Sequence, residues 1–437
     1  MSYEEAIDYL FNKTANYEKQ GTAGYKEGLG NIMALDEHFG HPHENFRSIH
    51  IAGTNGKGSV SHSIAALFRV FGYKVGLYTS PHMVDFSERI RVNGQPISHD
   101  YVTQFVEHEK EFIEQVGASF FEVTTAMAFK YFNEQDIDIA IVEVGLGGRL
   151  DATNIITPVL SVITNISLDH TQLLGTSVEQ IAMEKGGIIK RGVPVVIGEA
   201  TTETRAVFDA LAQEAKAPIL YAEDLDEIVK ATPVAEGIRY TCRHLGEFTC
   251  ELRGEHQAKN MSTVVTAMFQ MVQLGYVCDC RLPESQITVQ KEMCEALTNV
   301  CNITGLLGRW QVVRQQPLVV CDMGHNVGAW EYLSKEIERV KCKNLRIVFG
   351  IVEDKDIYGV MSLLPKNATY YYTKGSTKRA FPETSLKVFG DQFGLKGESY
   401  PTVKEAYQAA ISGATSDDFI FVGGSAYVVS DFLKTRV

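Results

Sequence analysis

The chain has 437 residues, of which 45% are hydrophobic and 22% are charged, and its formal net charge at pH 7 is −13. This length and composition are typical of a globular protein with two or three domains and sizeable cores. The acidic excess makes the chain a poor general binder of nucleic acid or anionic membranes. Any phosphate group must therefore be held by local positive groups.

The eight cysteines all lie from Cys242 onward, and no two form a C-x-x-C pair. Such spacing is most simply a set of reduced thiols, with a zinc site as the disfavoured alternative. The N-terminal residues 1–7 carry acids where a signal peptide would carry lysines. No stretch approaches the roughly 18 to 20 apolar residues of a membrane span. We therefore expect a cytoplasmic protein.

Helical and strand patterns alternate through the first half of the chain. Residues 3–20 have helical periodicity and lead into a polar loop at 20–29, whose composition favours a connection over a substrate flap. An apolar run over 46–52 predicts a strand, and helical spacing from residue 64 predicts a helix. Further strands are predicted at 75–78, 137–144, 158–166, 194–198 and 219–221, and further helices at 99–116, 122–134, 182–185 and 203–216.

A glycine-rich turn, Gly53-Thr-Asn-Gly-Lys-Gly-Ser59, joins the strand at 46–52 to the helix. This arrangement directs backbone N–H groups and the positive end of the helix dipole at one spot, which suits a phosphate. Lys57 adds a charge for the outer phosphates, and the Ser59 hydroxyl stands where such loops place a Mg²⁺ ligand. The turn is a shortened P-loop. A turn that is glycine-rich only for structural reasons is the alternative, which the order of strand, glycines, lysine, hydroxyl and helix disfavours.

Polar residues also follow three other predicted strands. Ser80 follows the strand at 75–78, Glu143 closes the one at 137–144, and His170 follows the one at 158–166. The carboxyl ends of parallel strands share one edge of a sheet, where ligands gather. The Glu143 carboxylate is a suitable oxygen ligand for Mg²⁺ there, and an acid that only caps the following loop is the alternative. His170 is as readily an ordinary hydrogen-bonded histidine as a metal ligand. Lys185 is by pattern alone a solvated helix lysine.

The second half contains hairpins and then a second strand–helix series. Alternation over 228–253 predicts antiparallel hairpins, and helices follow near 257–274 and 284–297. The sequence Asp322-Met-Gly-His-Asn326 ends the first strand of the new series, where a functional role is favoured. We predict an α/β protein with a P-loop-containing, mostly parallel sheet domain at 1–303 and a smaller Rossmann-like α/β domain at 304–437. The later strands are predicted at 318–322, 345–351, 369–373 and 419–423.

These motifs together resemble the Mur-ligase superfamily of ATP-dependent amide-forming ligases, and most closely its folate branch, folylpolyglutamate synthase and bifunctional dihydrofolate synthase. Two positions depart from the family pattern: Leu307 stands where proline is common, and Gly187 stands where alanine is common. The motifs that carry the resemblance are Gly53–Ser59, Ser80-Pro-His82, Glu88-Arg-Ile90, Glu143–Asn154, Leu168-Asp-His170, Glu184-Lys-Gly186, His256-Gln257 with Asn260, Gly308-Arg309, and Asp322 with His325-Asn326.

The resemblance implies a site for ATP and two Mg²⁺ ions. Lys185 is implied to carry a carbamate derived from CO₂, which turns a cation into an anion that supports a magnesium site. The implied metal ligands are Ser59, Ser80, Glu143 and His170. The implied nucleotide-binding residues are Thr54, Asn55, Gly56, Lys57, Gly58, Ser59, Asn260, Arg309 and Asp322, and the implied catalytic residues are Lys57, Lys185, His325 and Asp322.

The resemblance also implies a site for a pteridine-bearing substrate, which reverses the interpretation of the 20–29 loop as a plain connection. Phe121 offers a flat apolar face, and Glu122 or Asp151 can accept from pterin N–H groups. The implied substrate residues are Glu27, Gly28, Leu29, Ser119, Phe120, Phe121, Glu122, Leu150, Asp151 and Ala152.

The implied reaction belongs to folate biosynthesis and has two steps. A carboxylate of dihydropteroate or a reduced folate attacks the ATP γ-phosphate to form an acyl phosphate, and the α-amine of L-glutamate then attacks its carbonyl. Lys57, the magnesium ions and Arg309 would neutralise charge, while the C-terminal domain closes over the cleft and excludes water. Asp322 and His325 are candidates for positioning that closure or the glutamate.

Three alternatives stay open. A Mur-type cell-wall ligase is disfavoured, because those enzymes usually carry a further N-terminal UDP-binding domain and only about 45 residues precede the P-loop here. A P-loop NTPase that makes no amide bond and a non-catalytic binding module are the others. It is also open whether the chain adds the first glutamate to dihydropteroate, the later glutamates to folates, or both. We expect a monomer that binds no nucleic acid and no membrane.

Overall fold

The structure is a computed structural model that describes residues 1–15, 28–234, 236–277 and 283–435, with the side chains of 283–287 left out. Its contacts divide these residues into two compact units. The first contains 1–15, 28–82 and 86–306, and the second contains 83–85 and 307–435. Each unit has its own sheet and cores, and each is described by itself.

An eight-stranded sheet forms the centre of the first unit. Its strands are β1 (Arg47–Ala52), β2 (Val75–Tyr78), β3 (Ile90–Val92), β4 (Gln95–Pro96), β5 (Ile139–Glu143), β6 (Leu160–Ile163), β7 (Val195–Ile197) and β8 (Ile219–Tyr221). They lie in the order β4-β3-β2-β5-β1-β6-β7-β8, and all pairs are parallel except β2–β3 and β3–β4. The α/β prediction with a mostly parallel sheet is thus confirmed.

Apolar runs form these strands because both faces of the sheet are covered by helices. In β5, Ile139 and Ile141 face one core and Ala140 and Val142 face the other. The helices of the first unit are α1 (Tyr3–Lys13), α2 (Gly30–His38), α3 (Lys57–Val70), α4 (His99–Val116), α5 (Phe120–Glu134), α6 (Thr171–Leu174), α7 (Val178–Gly186), α8 (Thr202–Ala215), α9 (Ala222–Leu225), α10 (Gln257–Gln273), α11 (Pro283–Leu297) and α12 (Val300–Thr304).

A three-stranded antiparallel sheet adds to the first unit, as the alternation over 228–253 predicts. It contains β9 (Ile228–Val234), β10 (Gly237–Cys242) and β11 (Gly246–Cys250), in the order β11-β10-β9. Tyr240 and Phe248 face each other across β10 and β11 and join the core that also contains α3 and α10. The hairpins therefore extend the core beneath the P-loop helix.

A six-stranded sheet forms the second unit. Its strands are β12 (Gln311–Gln315), β13 (Leu318–Asp322), β14 (Leu345–Phe349), β15 (Ala368–Tyr372), β16 (Gly397–Ser399) and β17 (Phe419–Gly423), in the order β12-β13-β17-β14-β15-β16. Only the β12–β13 pair is antiparallel. Trp330 packs edge-on against Phe349 and Phe421 in its core. The helices are α13 (Val327–Arg339), α14 (Ile357–Leu363), α15 (Glu383–Gln392), α16 (Val403–Ile411) and α17 (Ala426–Lys434).

The structure departs from the predicted elements in several places. The short strands β3, β4 and β16 and the short helices α6, α9 and α12 were not predicted. The helix predicted at 3–20 ends at Lys13 among the described residues. Helix α2 was not predicted, since its N-cap residue Leu29 makes no side-chain hydrogen bond that would mark the helix start. Strand β12 was also missed, because it is a partly exposed edge strand without a strong apolar pattern. Within the described ranges, no helix has the length and apolar character needed to cross a membrane.

Candidate active site

Two glycines shape the loop between β1 and α3. Gly53 has φ +142° and Gly56 has φ +84°, backbone conformations that residues with a side chain rarely adopt. A Cβ at Gly53 would lie 1.9 Å from Thr164 Oγ1, and one at Gly56 would lie 2.2 Å from Asn260 Oδ1. The loop is compact because its neighbours pack directly on its backbone, which requires glycine at both positions.

The segment after β6 holds the loop in place. The amide of Thr54 donates to the carbonyl oxygen of Asn165 at 2.9 Å, and the amide of Asn55 donates to Asn165 Oδ1 at 3.0 Å. The hydroxyl of Thr164 donates to the carbonyl oxygen of Asn55 at 2.6 Å, and that of Thr54 donates to Ser167 O at 3.2 Å. These supporting contacts of Thr164 and Asn165 were not predicted from the sequence. Its only signal was the polar residues that follow the predicted strand at 158–166.

Lys57 lies at the first position of α3. Its Nζ donates to the carbonyl oxygens of Gly53 at 3.0 Å and Thr54 at 3.2 Å. The ammonium group therefore sits over the loop, on the side where the helix N-terminus presents its positive dipole end. This is the position from which a lysine neutralises phosphate charge.

The first turn of α10 packs against the start of α3. The Ser59 hydroxyl is buried and accepts a hydrogen bond from Gln257 Nε2 at 3.2 Å. Gln257 Oε1 in turn accepts from Asn260 Nδ2 at 2.9 Å, and Asn260 lies against Gly56. Ser59, Asn260 and the loop, all predicted site residues, are thus brought together in the structure.

Glu143 and Ser80 meet next to the loop. Glu143 ends β5 and pairs in register with Ile51 of β1, one residue before Ala52 ends that strand. Its side chain is only 3% exposed, and its Oε2 accepts a hydrogen bond from the Ser80 amide at 3.1 Å. The predicted convergence of polar residues at adjacent parallel strand ends is present in the structure for these two residues.

His170 lies beyond β6, at the start of the short helix α6. It has a left-handed backbone conformation with φ 51°, which is uncommon outside glycine. Its amide donates to Asp169 Oδ1 at 2.9 Å, and its ring Nε2 is 3.8 Å from Asp169 Oδ2. The structure thus places His170 beside a carboxylate, which accepts a hydrogen bond from its backbone amide.

Lys185 is buried, with only 5% of its surface exposed, so the pattern-based interpretation of a solvated helix lysine is wrong. The loop after β5 covers it: a Cβ at Gly148 would lie 2.9 Å from the Lys185 carbonyl oxygen. The same loop is tied to α7 by Arg149, whose amide donates to the Glu184 carbonyl oxygen at 2.7 Å and whose guanidinium pairs with the Glu184 carboxylate at 2.9 Å. The covering loop comes from 35 residues earlier in the chain, so helical periodicity around Lys185 could not reveal it.

Phe121 lies over the start of the loop that follows β5. A Cβ at Gly145 would lie within 2.4 to 2.8 Å of three Phe121 ring atoms, so the ring packs closely on the glycine backbone. Tyr78, at the end of β2, is 5.8 Å away between ring centroids. The Phe121 ring, the predicted flat face for a pteridine, therefore lies on Gly145, two residues after Glu143 and at the same edge of the sheet.

Ser119 and Glu122 form the cap of helix α5. The Ser119 hydroxyl accepts from the Glu122 amide, and Glu122 Oε2 accepts from the Ser119 amide at 2.6 Å and from Asn31 Nδ2 of α2 at 3.3 Å. The motif is a capping box, which the S-x-x-E spacing could have revealed. Phe120 is buried, with the Arg89 guanidinium 5.0 Å from its ring centroid. Both Phe120 and the Glu122 carboxylate therefore have structural contacts that the substrate prediction did not foresee.

A buried network fixes Asp151. Its Oδ2 accepts from the Leu146 amide at 2.8 Å, and its Oδ1 accepts from the Thr153 amide at 3.0 Å and from the Thr153 hydroxyl. That hydroxyl lies 2.8 Å from Nε2 of His50, in the middle of β1. Burial raises the pKa of Asp151, and burial with the charge of Lys190 lowers the pKa of His50 to about 3. His50 is thus a neutral donor that links β1 to the loop after β5.

The remaining predicted substrate residues surround this loop and the start of α2. Glu27 lies outside the described residues. Gly28 has φ 108°, and Leu29 is the N-cap residue of α2 and packs on the core beneath it. Leu150 is half-buried and Ala152 is buried, on either side of Asp151. The described residues of the set therefore belong to one unit and to the same side of its sheet as Phe121.

In the second unit, Asp322 organises the turn that carries Arg309. Its Oδ2 accepts from the Trp310 amide at 2.7 Å, and its Oδ1 accepts from the Gly324 amide at 2.8 Å. Trp310 has φ 42° and Gly308 has φ 70°, so both neighbours of Arg309 are left-handed. A bulky residue in this region is strained and persists only where its surroundings impose it. The Asp322 carboxylate is a direct contact that does so.

His325 and Asn326 follow Asp322 at the start of α13. His325 Nδ1 lies 3.1 Å from the Met323 carbonyl oxygen, so Nδ1 carries the proton in that hydrogen bond. Asn326 is the N-cap residue, and its side chain accepts from the Ala329 amide at 2.9 Å. Arg309, Asp322 and His325 are thus brought together within the second unit, and their predicted roles toward a nucleotide stay predictions.

Comparison with known proteins defines the class of this enzyme. Residues 51–268 match the Mur ligase middle domain, and residues 308–426 match the Mur ligase glutamate ligase domain. The chain is 32% identical over 427 residues to the dihydrofolate synthase/folylpolyglutamate synthase of Bacillus subtilis, covering 94% of this chain and 95% of that protein. It is also 32% identical to a probable bifunctional folylpolyglutamate synthase/dihydropteroate synthase of Haloferax volcanii, of which it spans 50% of the length.

A solved structure agrees with these matches. The bifunctional folylpolyglutamate synthase/dihydrofolate synthase of Yersinia pestis, complexed with AMPPNP and a Mn ion, superposes with a TM-score of 0.81 at 26% identity and covers 100% of this chain and 98% of that one. The chain therefore belongs to the Mur ligase family. Within that family it belongs to the dihydrofolate synthase/folylpolyglutamate synthases, ATP-dependent ligases of folate metabolism, and the resemblance stated from the motifs is confirmed.

Proposed function

We propose that this chain uses ATP to join L-glutamate to the carboxylate of dihydropteroate, of folate (poly)glutamates, or of both. The observation that carries the proposal is the shortened P-loop at the end of β1, with Glu143 and Ser80 paired at the two neighbouring strand ends. A phosphate-binding loop beside a buried acid is what a reaction at the γ-phosphate needs. The match to the Bacillus subtilis enzyme over 94% of this chain supports the same chemistry.

The donor atoms at this edge of the sheet fit a magnesium nucleotide. The Glu143 carboxylate and the Ser59 hydroxyl are buried hard oxygen donors at this edge of the sheet. The Yersinia pestis relative is described with AMPPNP and a manganese ion, which supports ATP and a divalent metal here. Ser59, Ser80, Glu143 and His170 would hold two Mg²⁺ ions, which supply charge neutralisation on the phosphates. Thr54 to Ser59 and Asn260 would contact the nucleotide, and Lys57 would balance the charge of its outer phosphates.

Lys185 is proposed to carry a carbamate. The neutral Nζ attacks the carbon of CO₂, a new N–C bond forms, and one proton leaves to solvent, so that the side chain ends in an anion. The burial of Lys185 supports this, because a buried ammonium loses its hydration while a carbamate needs the uncharged amine. The anion would lie next to the loop that follows Glu143, the last residue of β5. From there the carbamate would support a metal site.

The reaction would proceed through an acyl phosphate. A substrate carboxylate oxygen attacks the γ-phosphorus, ADP leaves, and the α-amine of L-glutamate then displaces phosphate to form the amide. Lys57 and Arg309 would stabilise the phosphoryl charge. Asp322 holds the turn that carries Arg309 and would act as a positioning residue, with His325 beside it. Water must be kept from the acyl phosphate until the amine has attacked.

The folate side of the site would be built around Phe121 and the loop after β5. The Phe121 ring offers a flat face for a pteridine. Asp151 already accepts hydrogen bonds within its own loop, and Glu122 accepts them from Ser119 and from Asn31 of α2. Each would hold that side of the site in shape and use its remaining acceptor capacity for the ring. Gly28 and Leu29, with Glu27, Ser119, Phe120, Leu150 and Ala152, would complete the surroundings. The protein is also proposed to act as a monomer, and light scattering would test this oligomeric state. We propose that it binds no nucleic acid and no membrane.

The direct test supplies the purified chain with ATP, Mg²⁺, L-glutamate and 7,8-dihydropteroate. We expect release of ADP and phosphate together with dihydrofolate. Omitting L-glutamate is the control, since an NTPase that makes no amide bond would release ADP at the same rate without it. A UDP-linked muramyl peptide as acceptor tests the cell-wall alternative. No turnover with either dihydropteroate or a reduced folate would overturn the proposal.

A substrate panel resolves the specificity. Dihydropteroate measures the first glutamylation, and tetrahydrofolate monoglutamate measures the addition of later glutamates. Product chain length, read by mass spectrometry, separates a bifunctional enzyme from one that only extends existing folates. Turnover of both substrates supports the bifunctional form, and turnover of the reduced folate alone restricts the proposal to polyglutamylation.

A further inference from the structure

Three potential metal ligands converge at the end of β1 that is opposite to the P-loop. Asp36 lies in the last turn of α2, and His41 and His43 lie in the connection that leads from α2 to β1. Nδ1 of His41 is 2.9 Å from Asp36 Oδ2, and Nδ1 of His43 is 2.7 Å from Asp36 Oδ1. One ligand atom from each residue lies within 4.8 Å of the others. None of the three belongs to the predicted nucleotide or folate site.

The position of Asp36 calls for a positive charge. The residue is only 4% exposed, so its carboxylate has lost most of its hydration. It also lies in the last turn of a helix, where the negative end of the dipole disfavours an acid. The two imidazoles hydrogen-bond to it, and they add positive charge only when they are protonated. Glu37 and Glu44, next to the cluster in sequence, add further negative charge.

Access and ligand type are both suitable for an exchangeable metal. The His41 side chain is 51% exposed while that of His43 is 16% exposed, so the cluster is open on one side and closed on the other. Two imidazoles and a carboxylate form a ligand set that Zn²⁺ takes readily, with water in the fourth position. Hard oxygen-seeking ions such as Mg²⁺ prefer carboxylates and carbonyls, and the cluster offers a single carboxylate.

We propose that Asp36, His41 and His43 bind a Zn²⁺ ion that ties the end of α2 to the start of β1. Metal–ligand distances of about 2.0 to 2.2 Å place neighbouring ligands of a tetrahedral ion roughly 3.3 Å apart. The two imidazole–carboxylate separations, 2.9 and 2.7 Å, are a few tenths of an ångström shorter than this, and the three ligand atoms lie within 4.8 Å of one another. Each neutral imidazole shifts its proton from Nδ1 to Nε2 on binding, and an imidazolium releases one proton to solvent.

The role of this ion is structural and does not depend on the proposed ligase activity. Helix α2 belongs to the predicted folate side, because its Asn31 donates a hydrogen bond to Glu122. The α2–β1 connection joins this helix to the strand that leads into the P-loop. An ion at its centre connects Asp36, which lies in α2, to His43, which lies four residues before β1 begins at Arg47. Binding stabilises the folded chain, because the unfolded chain does not preorganise the three ligands.

The test titrates the metal-stripped, full-length chain with ZnCl₂ in a calorimeter and measures the thermal unfolding midpoint with and without zinc. We expect one equivalent bound with a rise in the midpoint, and tetrahedral absorption bands when Co²⁺ replaces Zn²⁺. His41→Ala removes an exposed ligand with little risk to folding and is expected to weaken binding at least about tenfold. His43→Ala and Asp36→Asn are expected to do the same.

Two matched variants locate the ion. His38→Ala removes a neighbouring histidine that pairs with Glu109 instead, and it is expected to leave the zinc affinity unchanged. Glu143→Gln alters the proposed magnesium site at the other end of β1 and is also expected to leave it unchanged. A folded chain that binds no zinc, or an His41→Ala/His43→Ala double variant with the parent affinity, would overturn the proposal.

Discussion

The Asp322 carboxylate accepts a hydrogen bond from the Trp310 amide at 2.7 Å, across the turn that carries Arg309. Its second oxygen accepts from the Gly324 amide at 2.8 Å, so a single buried acid joins the left-handed turn at Gly308 and Trp310 to the backbone that follows β13. The family resemblance implies that both Asp322 and Arg309 contact nucleotide. The geometry within the second unit adds that Asp322 sets the conformation from which Arg309 extends.

The first prediction concerns this acid. Asp322→Ala leaves two buried amides without their acceptor, and we expect the free energy of unfolding to fall by about 2 to 4 kcal/mol. Asp322→Asn keeps one acceptor oxygen and is expected to lose about half of that. Urea unfolding followed by tryptophan fluorescence measures this well, because the two tryptophans of the chain, Trp310 and Trp330, both lie in the second unit. Asp356→Asn, an exchange at an ordinary helix N-cap, is the control; an unchanged midpoint for Asp322→Ala would contradict the assignment.

The second prediction concerns the P-loop glycines. Gly56→Ala combines a left-handed backbone, costing about 1 to 2 kcal/mol, with a Cβ 2.2 Å from Asn260 Oδ1. We expect nucleotide affinity to fall at least about tenfold, since a shift of the loop misdirects its amides. Gly72→Ala is the matched control, because its φ of +90° carries the same strain but its Cβ meets open space. Calorimetric titration with an ATP analogue should therefore separate the two variants, and equal affinities would refute the argument.

The third prediction removes charge without removing a hydrogen bond. Glu143→Gln keeps an oxygen that can accept from the Ser80 amide but loses the anion beside the loop. We expect kcat to fall by about 10² to 10³, the usual effect of losing one electrostatic group in an active site, and the Mg²⁺ concentration for half-maximal rate to rise. Glu227→Gln changes a buried carboxylate paired with His244 in the hairpin sheet and is expected to retain activity. A Glu143→Gln enzyme with normal magnesium dependence would exclude Glu143 as a ligand.

The fourth prediction concerns Lys185. If it is carbamylated, incubation with ¹³C-bicarbonate yields a carbamate resonance in ¹³C NMR that disappears in Lys185→Ala. Activity is expected to fall in CO₂-depleted buffer and to recover when bicarbonate is added. Lys190→Arg is the control for site selectivity, because Lys190 is also partly buried but its Nζ donates to the Asn154 carbonyl oxygen. A resonance that persists in Lys185→Ala would assign the carbamate elsewhere.

The fifth prediction follows from the pKa of His50, which burial lowers to about 3. An unfolded histidine has a pKa of about 6.5, so the unfolded chain binds the proton first and the free energy of unfolding decreases as the pH falls from about 6.5 toward 3. His50→Gln keeps a donor for Thr153 but does not titrate, and its stability is expected to fall less between pH 7 and pH 5 than that of the parent chain. NMR of the His50 ring should show no titration between pH 5 and 8, and a midpoint near 6.5 would refute the assignment.

Local patterns were sufficient for much of the fold and for part of the site. The apolar run before Gly53, the helical spacing after it and the order of glycines, lysine and hydroxyl predict a P-loop, because each is a property of contiguous residues. Helix α4 was predicted at its observed limits, since Ser98 caps it and Gly117 ends it in a left-handed conformation. The proximity of Ser80 and Glu143 also followed, because parallel strands end at one edge of their sheet.

The tertiary structure alone decided which polar side chains are buried and what they bind. The burial of Lys185 depends on a loop that arrives from Gly148, and the support of the P-loop depends on Thr164 and Asn165, more than 100 residues away. Asp36, His41 and His43 are close in sequence, yet only the turn between α2 and β1 directs their ligand atoms at one point. The sequence by itself thus determined the elements and the phosphate-binding loop, since periodicity and turn chemistry are local. Burial and charge pairing arise when distant segments pack together, and for that reason only the folded chain reveals them.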